Sequence, residues 1–146
     1  MINIEFEFID IEIPDFRPEF FRLWLSEVAK AEDRQIGRLT YIFCSDDYLH
    51  RLNIQFLKHD ELTDVLTFGY NDKDSLKGDC FISYERVLDN AVHYSGGDTF
   101  DELCRVMVHG LLHLSGYNDK SNMEVERMRN LEAKYLVLRD VSRETS

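Results

Sequence analysis

Two histidines four residues apart, His109 and His113, stand inside the apolar run VMVHGLLHLSGYND at residues 106–119. On a helix that spacing puts both imidazoles on one face, about one turn apart. Neutral imidazole suits zinc and related divalent ions, and an i, i+4 pair can hold one ion between its two rings. Gly116 is placed to end such a helix in a left-handed residue. Three residues later Asp119 can turn back towards the pair as an oxygen ligand. The apolar setting strengthens the metal reading, because two buried imidazoles without partners are costly and an ion satisfies both. The competing reading, two helical histidines four apart by chance, stays open on these residues alone.

The residue after His109 is Gly110, where HExxH enzymes carry the glutamate that activates the bound water. Peptidase chemistry in its usual form therefore lacks its base. Arg105 lies four residues before His109 and so on roughly the same helix face, where it can meet a phosphate or form a surface ion pair. His50, His59 and His93 lack ligand spacing and read as solvated surface groups.

The elements that must position this site follow from periodicity. Asp98 or Thr99 can cap the histidine helix, expected over 98–115, and Phe100, Leu103, Met107, Leu111 and Leu114 form its apolar stripe. Four strands are expected at INIEFEF (2–8), RLTYIFCS (38–45), DVLTFGY (64–70) and GDCFISY (78–84). In the first, Ile2, Ile4, Phe6 and Phe8 share a face. The last two suit an antiparallel hairpin closed by the polar NDKDSLK segment. Further helices are expected after Pro14 and Pro18, through Phe20, Phe21, Trp24, Leu25 and Val28. Another short one is capped by Ser45 or Asp46 and carries Leu49 and Leu52, and two more fall at 85–94 and 121–138. The 121–138 helix carries Met123, Val125, Met128, Leu131, Tyr135 and Leu138 and ends in a frayed polar tail. Four strands and about five helices without regular βαβ alternation predict an α+β domain with a mixed sheet, in two or three layers. Phe and Tyr supply most of its core.

A chain of 146 residues, 44% apolar and 31% charged, fits one soluble domain spanning 1–146. No run approaches the roughly 18 apolar residues of a membrane span, and the N-terminus lacks the basic leader of a signal peptide, so a cytoplasmic protein is expected. Cys44, Cys80 and Cys104 are too far apart for a CxxC zinc knuckle and odd in number, so buried free thiols are expected. The net charge of −11, from 17 cations against 28 carboxylates, opposes general attraction to nucleic acid. Any such binding must use a few local cations.

The stretch HGLLHLSGYND resembles the signature of the YbeY family of endoribonucleases, H-G-x-L-H-L-x-G-Y-D-H, at His109, Gly110, Leu112, His113, Leu114, Gly116 and Tyr117. LNIQFLKHDELTDVLTF (52–68) resembles the family's Leu-Asn segment followed by Thr-Asp-Val-Leu-Ser-Phe, and GDCFIS (78–83) resembles its Gly-Asp-Ile strand. The likeness spans nearly the whole chain. It implies an α+β fold with a metallohydrolase-like core and one zinc ion per chain, held by His109, His113 and Asp119. It also implies cytoplasmic cleavage of single-stranded ribosomal RNA in small-subunit 3′-end maturation and ribosome quality control. The implied partners are ribosomal subunits or assembly proteins, with neither DNA nor membrane.

Two departures mark this chain. The family's third histidine aligns with Asp119 and its preceding aspartate with Asn118, so a carboxylate replaces an imidazole in the ligand set. The family's arginine before the Thr-Asp block falls at Leu57, with Lys58 beside it and Arg51 close in sequence. Lys58 and Arg105 are the expected phosphate partners alongside the catalytic histidines, and Asp64 either orders the loop or caps the strand. A non-catalytic zinc-containing assembly factor and a metallopeptidase-like hydrolase are the rival readings.

Overall fold

The central strand faces two cores, and its alternation sets the layers. In a computed structural model, residues 3–57, 63–70, 75–94 and 96–145 are described, with side chains of the last helix described through residue 140. Strand β2 (Ile36–Cys44) turns Leu39, Tyr41 and Phe43 into the main core, while Cys44 joins a smaller cluster with Leu49 and Leu66. Strand β1 (Ile4–Phe8) pairs parallel to β2 on one side, and β4 (Leu76–Ser83) pairs parallel to it on the other. Strand β3 (Val65–Gly69) closes the sheet antiparallel to β4, giving the order β1-β2-β4-β3. This is the mixed four-stranded sheet expected, including the hairpin.

Helices α1 (Pro18–Ala31), α4 (Thr99–Leu114) and α5 (Asn122–Thr145) supply the main core with Phe21, Trp24, Leu25, Val28, Met107, Leu111 and Tyr135. Helix α2 (Asp46–Leu52) contributes Leu49 to the smaller cluster and runs into a π-helical turn over Asn53–Leu57. Helix α3 (Tyr84–Tyr94) follows β4 directly and packs on α4. Pro18 opens α1, where a missing N–H costs nothing. Ser45 caps α2 by accepting from the Tyr48 amide at 3.1 Å, and Asp98 caps α4 by accepting from the Asp101 amide at 3.0 Å. Two hydrogen bonds tie the layers together. The Trp24 indole donates to the Tyr135 carbonyl at 2.9 Å, and the Tyr41 hydroxyl donates to the Met107 carbonyl at 2.8 Å.

Two expectations need correction. Helix α4 is more than an amphipathic stripe, since Cys104, Val106, Val108 and Leu112 are buried together with Leu103, Met107, Leu111 and Leu114. It lies between the sheet and its neighbouring helices, and a helix covered on most sides is apolar on most sides. Helix α5 continues to Thr145 instead of fraying after 138. Its buried positions include Met128, Glu132, Tyr135 and Arg139, while Met123 and Val125 are exposed. Two charged residues at helical spacing on the inner face break the apolar pattern. On the shared face of β1, Ile4 is fully buried and Phe8, exposed at the strand's end, stacks on Phe43; Ile2 lies outside the described residues. The three cysteines are buried free thiols, and among the described residues no helix is long and apolar enough to cross a membrane.

Candidate metal centre

Gly116 supplies the turn that builds this site. With φ at +109°, it lets its own amide donate to the His113 carbonyl at 3.0 Å and the Tyr117 amide donate back to Leu112 at 3.1 Å. These are the two bonds of a Schellman stop, which a left-handed residue makes possible and glycine makes cheap. The turn reverses the chain and returns Asp119 to the face of α4 that carries the histidines. There Nε2 of His109 and Nε2 of His113 lie 3.0 Å apart, with Asp119 Oδ2 at 3.4 Å and 3.2 Å from them. Among the described residues this is the one cluster of three such side chains positioned to hold an ion.

The outer nitrogens decide what the inner ones can do. Nδ1 of His113 is 3.0 Å from the Tyr117 carbonyl, which can only accept, so that nitrogen carries the proton. Nδ1 of His109 is 2.6 Å from Glu132 Oε2 on α5. Glu132 is almost fully buried, which alone would raise its pKa. The hydrogen bond from His109 and the charges of Arg105 and Arg129 outweigh that cost and hold it below the usual carboxylate value. An ionised carboxylate also only accepts, so His109 is protonated at Nδ1 as well. As neutral imidazoles, the two rings then present bare Nε2 lone pairs to each other and to a carboxylate oxygen. Three electron-rich atoms converging within 3.0–3.4 Å repel unless a cation lies among them, and the set of two imidazoles and a carboxylate suits zinc. The residues fit the ion.

The outer supports reach further. The Tyr117 hydroxyl donates to Glu32 Oε1 at 2.6 Å, and the Tyr135 hydroxyl donates to the other oxygen of the same carboxylate. Glu32, at the C-terminal end of α1, thus ties Tyr117, whose carbonyl meets His113, to α5, whose Glu132 meets His109. Both phenols titrate above their ordinary value: Tyr117 chiefly through the Glu32 hydrogen bond, Tyr135 chiefly through burial and then Glu32.

Arg105 sits one turn from His109 as its spacing implies, and its donors meet carboxylates. Nε and Nη2 bind Glu102 at 2.9 and 2.6 Å, Nη1 reaches Glu132 at 3.3 Å, and Asp64 lies 3.6 Å away. Burial opposes its charge, but these anions raise its pKa on balance. Asp64, just before β3, lines the cleft and pairs with Arg105. Arg51 is exposed on α2, 3.6 Å from Asp47. Lys58 and His59 lie outside the described residues. His93 is exposed and His50 half-buried, and neither belongs to the cluster.

The cluster opens into a cleft of about 300 Å³ walled by Leu57 and the Thr63–Thr67 segment. Next to His109 on α4, Gly110 faces the sheet. A Cβ on it would lie 2.4 Å from Cys80 Sγ, so α4 can approach β4 this closely only with glycine there. A glutamate beside His109, as in HExxH, has no room.

Glu132, Glu32 and the Tyr117 carbonyl escaped the sequence reading. A signal for Glu132 existed: it occupies the apolar face of α5 between Met128 and Tyr135, where an unpaired carboxylate would be expensive.

A helix–turn with a candidate metal site, packed against a mixed sheet, defines a class of protein, and comparison with known sequences narrows it. The profile described as "Endoribonuclease YbeY" matches residues 3–138, and the chain belongs to that family, as the motif resemblance implied. Proteins named endoribonuclease YbeY match it at 50% identity in Cytophaga hutchinsonii, covering 81% of this chain and 82% of that protein, and at 43% in Amoebophilus asiaticus, covering 92% of each. The Flavobacterium johnsoniae relative is 42% identical, covering 90% of this chain and 92% of its own length. The solution structure of TM1509 from Thermotoga maritima superposes with a TM-score of 0.66 at 26% identity, covering 97% of this chain and 92% of that one.

Proposed function

We propose that residues 1–146 form one zinc-dependent endoribonuclease domain that cuts single-stranded RNA. It serves ribosomal RNA processing in the cytoplasm, at the 3′ end of the small-subunit RNA, with ribosomal subunits or assembly proteins as partners. The observation that carries this reading is the convergence of His109 Nε2, His113 Nε2 and Asp119 Oδ2 at the floor of an open cleft in a chain of the YbeY family.

Zinc bound there would acidify a coordinated water to a pKa of about 7 and polarise a phosphate oxygen. The protein's own groups do the positioning. Glu132 and the Tyr117 carbonyl hold the two Nδ1 protons, so both rings offer Nε2 to the ion. Arg105 braces Glu132 from one side and Asp64 from the other. With its donors turned to three carboxylates, it acts as a positioning residue rather than a phosphate ligand. Lys58, which follows the cleft-lining Leu57 in sequence, is the cation assigned to meet the phosphate. The tight contact at Gly110 argues against the metallopeptidase alternative.

The test is a gel of labelled single-stranded and duplex ribosomal RNA fragments, with zinc-loaded wild type, Lys58→Glu and His113→Ala in parallel. Wild type should cut the single strand and spare the duplex, whose phosphates are held in a rigid helix. His113→Ala should lose both zinc and cleavage. Lys58→Glu should keep its zinc but cut less, and its deficit should change with salt. Cleavage by His113→Ala at the wild-type rate overturns the reading. Ribosome binding without cleavage, unaffected by loss of the histidines, would establish the assembly-factor alternative.

A further inference from the structure

The turn between α2 and β3 exposes apolar side chains at the rim of the metal cleft. Over Asn53–Leu57, Ile54 is 45%, Phe56 58% and Leu57 39% exposed. Leu57 lines the cleft itself; Phe56 precedes it in the chain, and its ring lies on the face of edge strand β3 turned away from α4. The Phe56 ring rests edge-on against Phe68 of β3, with centroids 6.2 Å apart and planes at 82°. Phe68 rests in turn on Phe81 of β4 at 5.7 Å and 86°. Phe68 and Phe81 pack on the buried cluster of Cys44, Leu49 and Leu66. The outermost ring is therefore braced from behind by an anchored ladder, while most of its surface faces solvent.

The electrostatics of the cleft say what such a ring is for. Among the described residues that line it, none is a lysine or arginine. Arg105, the nearest described cation along α4, is committed to Glu102, Glu132 and Asp64. With 28 carboxylates on the chain against 17 cations, the phosphate backbone offers little general attraction. Unpaired bases have another handle, since each presents a π-face that stacks on an aromatic ring regardless of charge.

We propose that Phe56 is a stacking platform for an unpaired nucleobase of the RNA strand entering the metal cleft. This inference rests on the endoribonuclease reading above and adds its substrate subsite. It also supplies a reason for single-strand preference, because bases in a duplex have their faces already covered. The side chain contacts substrate away from the reacting phosphate, so it contributes affinity rather than rate.

The test measures steady-state cleavage of a labelled single-stranded oligoribonucleotide by zinc-loaded wild type, Phe56→Ala and Phe56→Trp, with zinc content checked in each. Phe56→Ala should raise KM by roughly 5- to 150-fold, the usual loss of one base–aromatic stack. Its kcat should stay within about twofold of wild type, the signature of uniform binding lost. Phe56→Trp should restore KM, and its exposed indole should be quenched when RNA binds. A general loss of fold would lower zinc content and kcat together and would not be rescued by tryptophan. The ratio of Phe56→Ala to wild-type KM should be the same at low and high salt. A KM for Phe56→Ala within about twofold of wild type overturns the platform and leaves the endoribonuclease reading intact. A zinc-loaded wild type that cuts no single-stranded RNA overturns both. Unchanged RNA kinetics with weakened binding to ribosomal subunits would assign the patch to a protein partner instead.

Discussion

Glu132 Oε2 lies 2.6 Å from His109 Nδ1, joining two helices across 23 positions of sequence. The carboxylate fixes the imidazole's tautomer and keeps its other nitrogen free to bind a metal. It also accepts from Arg105 and Arg129 through its second oxygen. Glu132→Ala should weaken zinc binding about 10- to 100-fold. Glu132→Gln, whose amide oxygen can still accept the Nδ1 proton, should lose less. Competition against a chromophoric chelator measures both, and equal affinity in wild type and Glu132→Ala would remove Glu132 from the site.

Asp119 replaces an imidazole expected from the family pattern, and its Oδ2 approaches both Nε2 atoms. Asp119→Ala should lower zinc retention through desalting. Asp119→His should preserve or strengthen it, because imidazole also suits zinc. Asn118, which is exposed, should tolerate alanine. If Asp119→Ala keeps a full equivalent of zinc by elemental analysis, the third ligand is another group.

Gly110 and Cys80 should be energetically coupled. Gly110→Ala gains up to about 1 kcal/mol of helix propensity but forces a Cβ towards Cys80 Sγ. Overpacking of this kind costs about 1–3 kcal/mol, so net destabilisation in urea melts is expected. Adding Cys80→Ala removes the clashing sulfur, and the double variant should recover part of the loss. Strict additivity of the two changes would refute the contact.

The thiols set an alkaline limit. Burial, followed by the charges of Asp46 and Glu85, pushes the Cys44 thiol up to about 12. Burial pushes Cys80 up as well, with Asp64 and Asp79 adding to it. An unfolded cysteine titrates near about 8.5. Between those values the folded chain retains protons that the unfolded chain loses, so stability is unaffected below about pH 8.5 and falls as pH rises above it. The urea midpoint should therefore decline through the alkaline range, and less steeply in Cys44→Ala. Iodoacetamide should label native protein slowly at neutral pH and quickly in urea. Rapid native labelling would contradict the burial.

What could be read in the sequence was local. His109, His113, Gly116 and Asp119 fall within one helix and one turn, so spacing and turn chemistry suffice to bring them together. The strands and their hairpin follow from alternation over short windows. Glu32 is different, because its partners Tyr117 and Tyr135 lie 85 and 103 residues away and meet it only through tertiary packing. Arg105 shows the intermediate case: its helix face and its neighbour Glu102, three residues before it on α4, were legible, but Glu132 and Asp64 come from α5 and from the segment before β3. Helix α5 misled for a related reason. Its inner face carries Glu132 and Arg139 beside Met128 and Tyr135, and partnered charges in a core erase the apolar period that marks one.

The contact of Gly110 with Cys80 bears on how such a chain can change in evolution. A helix with two histidines four apart is one codon position away from the HExxH arrangement, and on paper a single replacement would install a new general base. Here that replacement meets the sheet before it meets any substrate. Reaching it would require β4 to recede or Cys80 to shrink first, each with its own loss of stability and no immediate gain in activity. The packing of one glycine thus works as a ratchet, keeping the lineage on its present chemistry without any direct part in it.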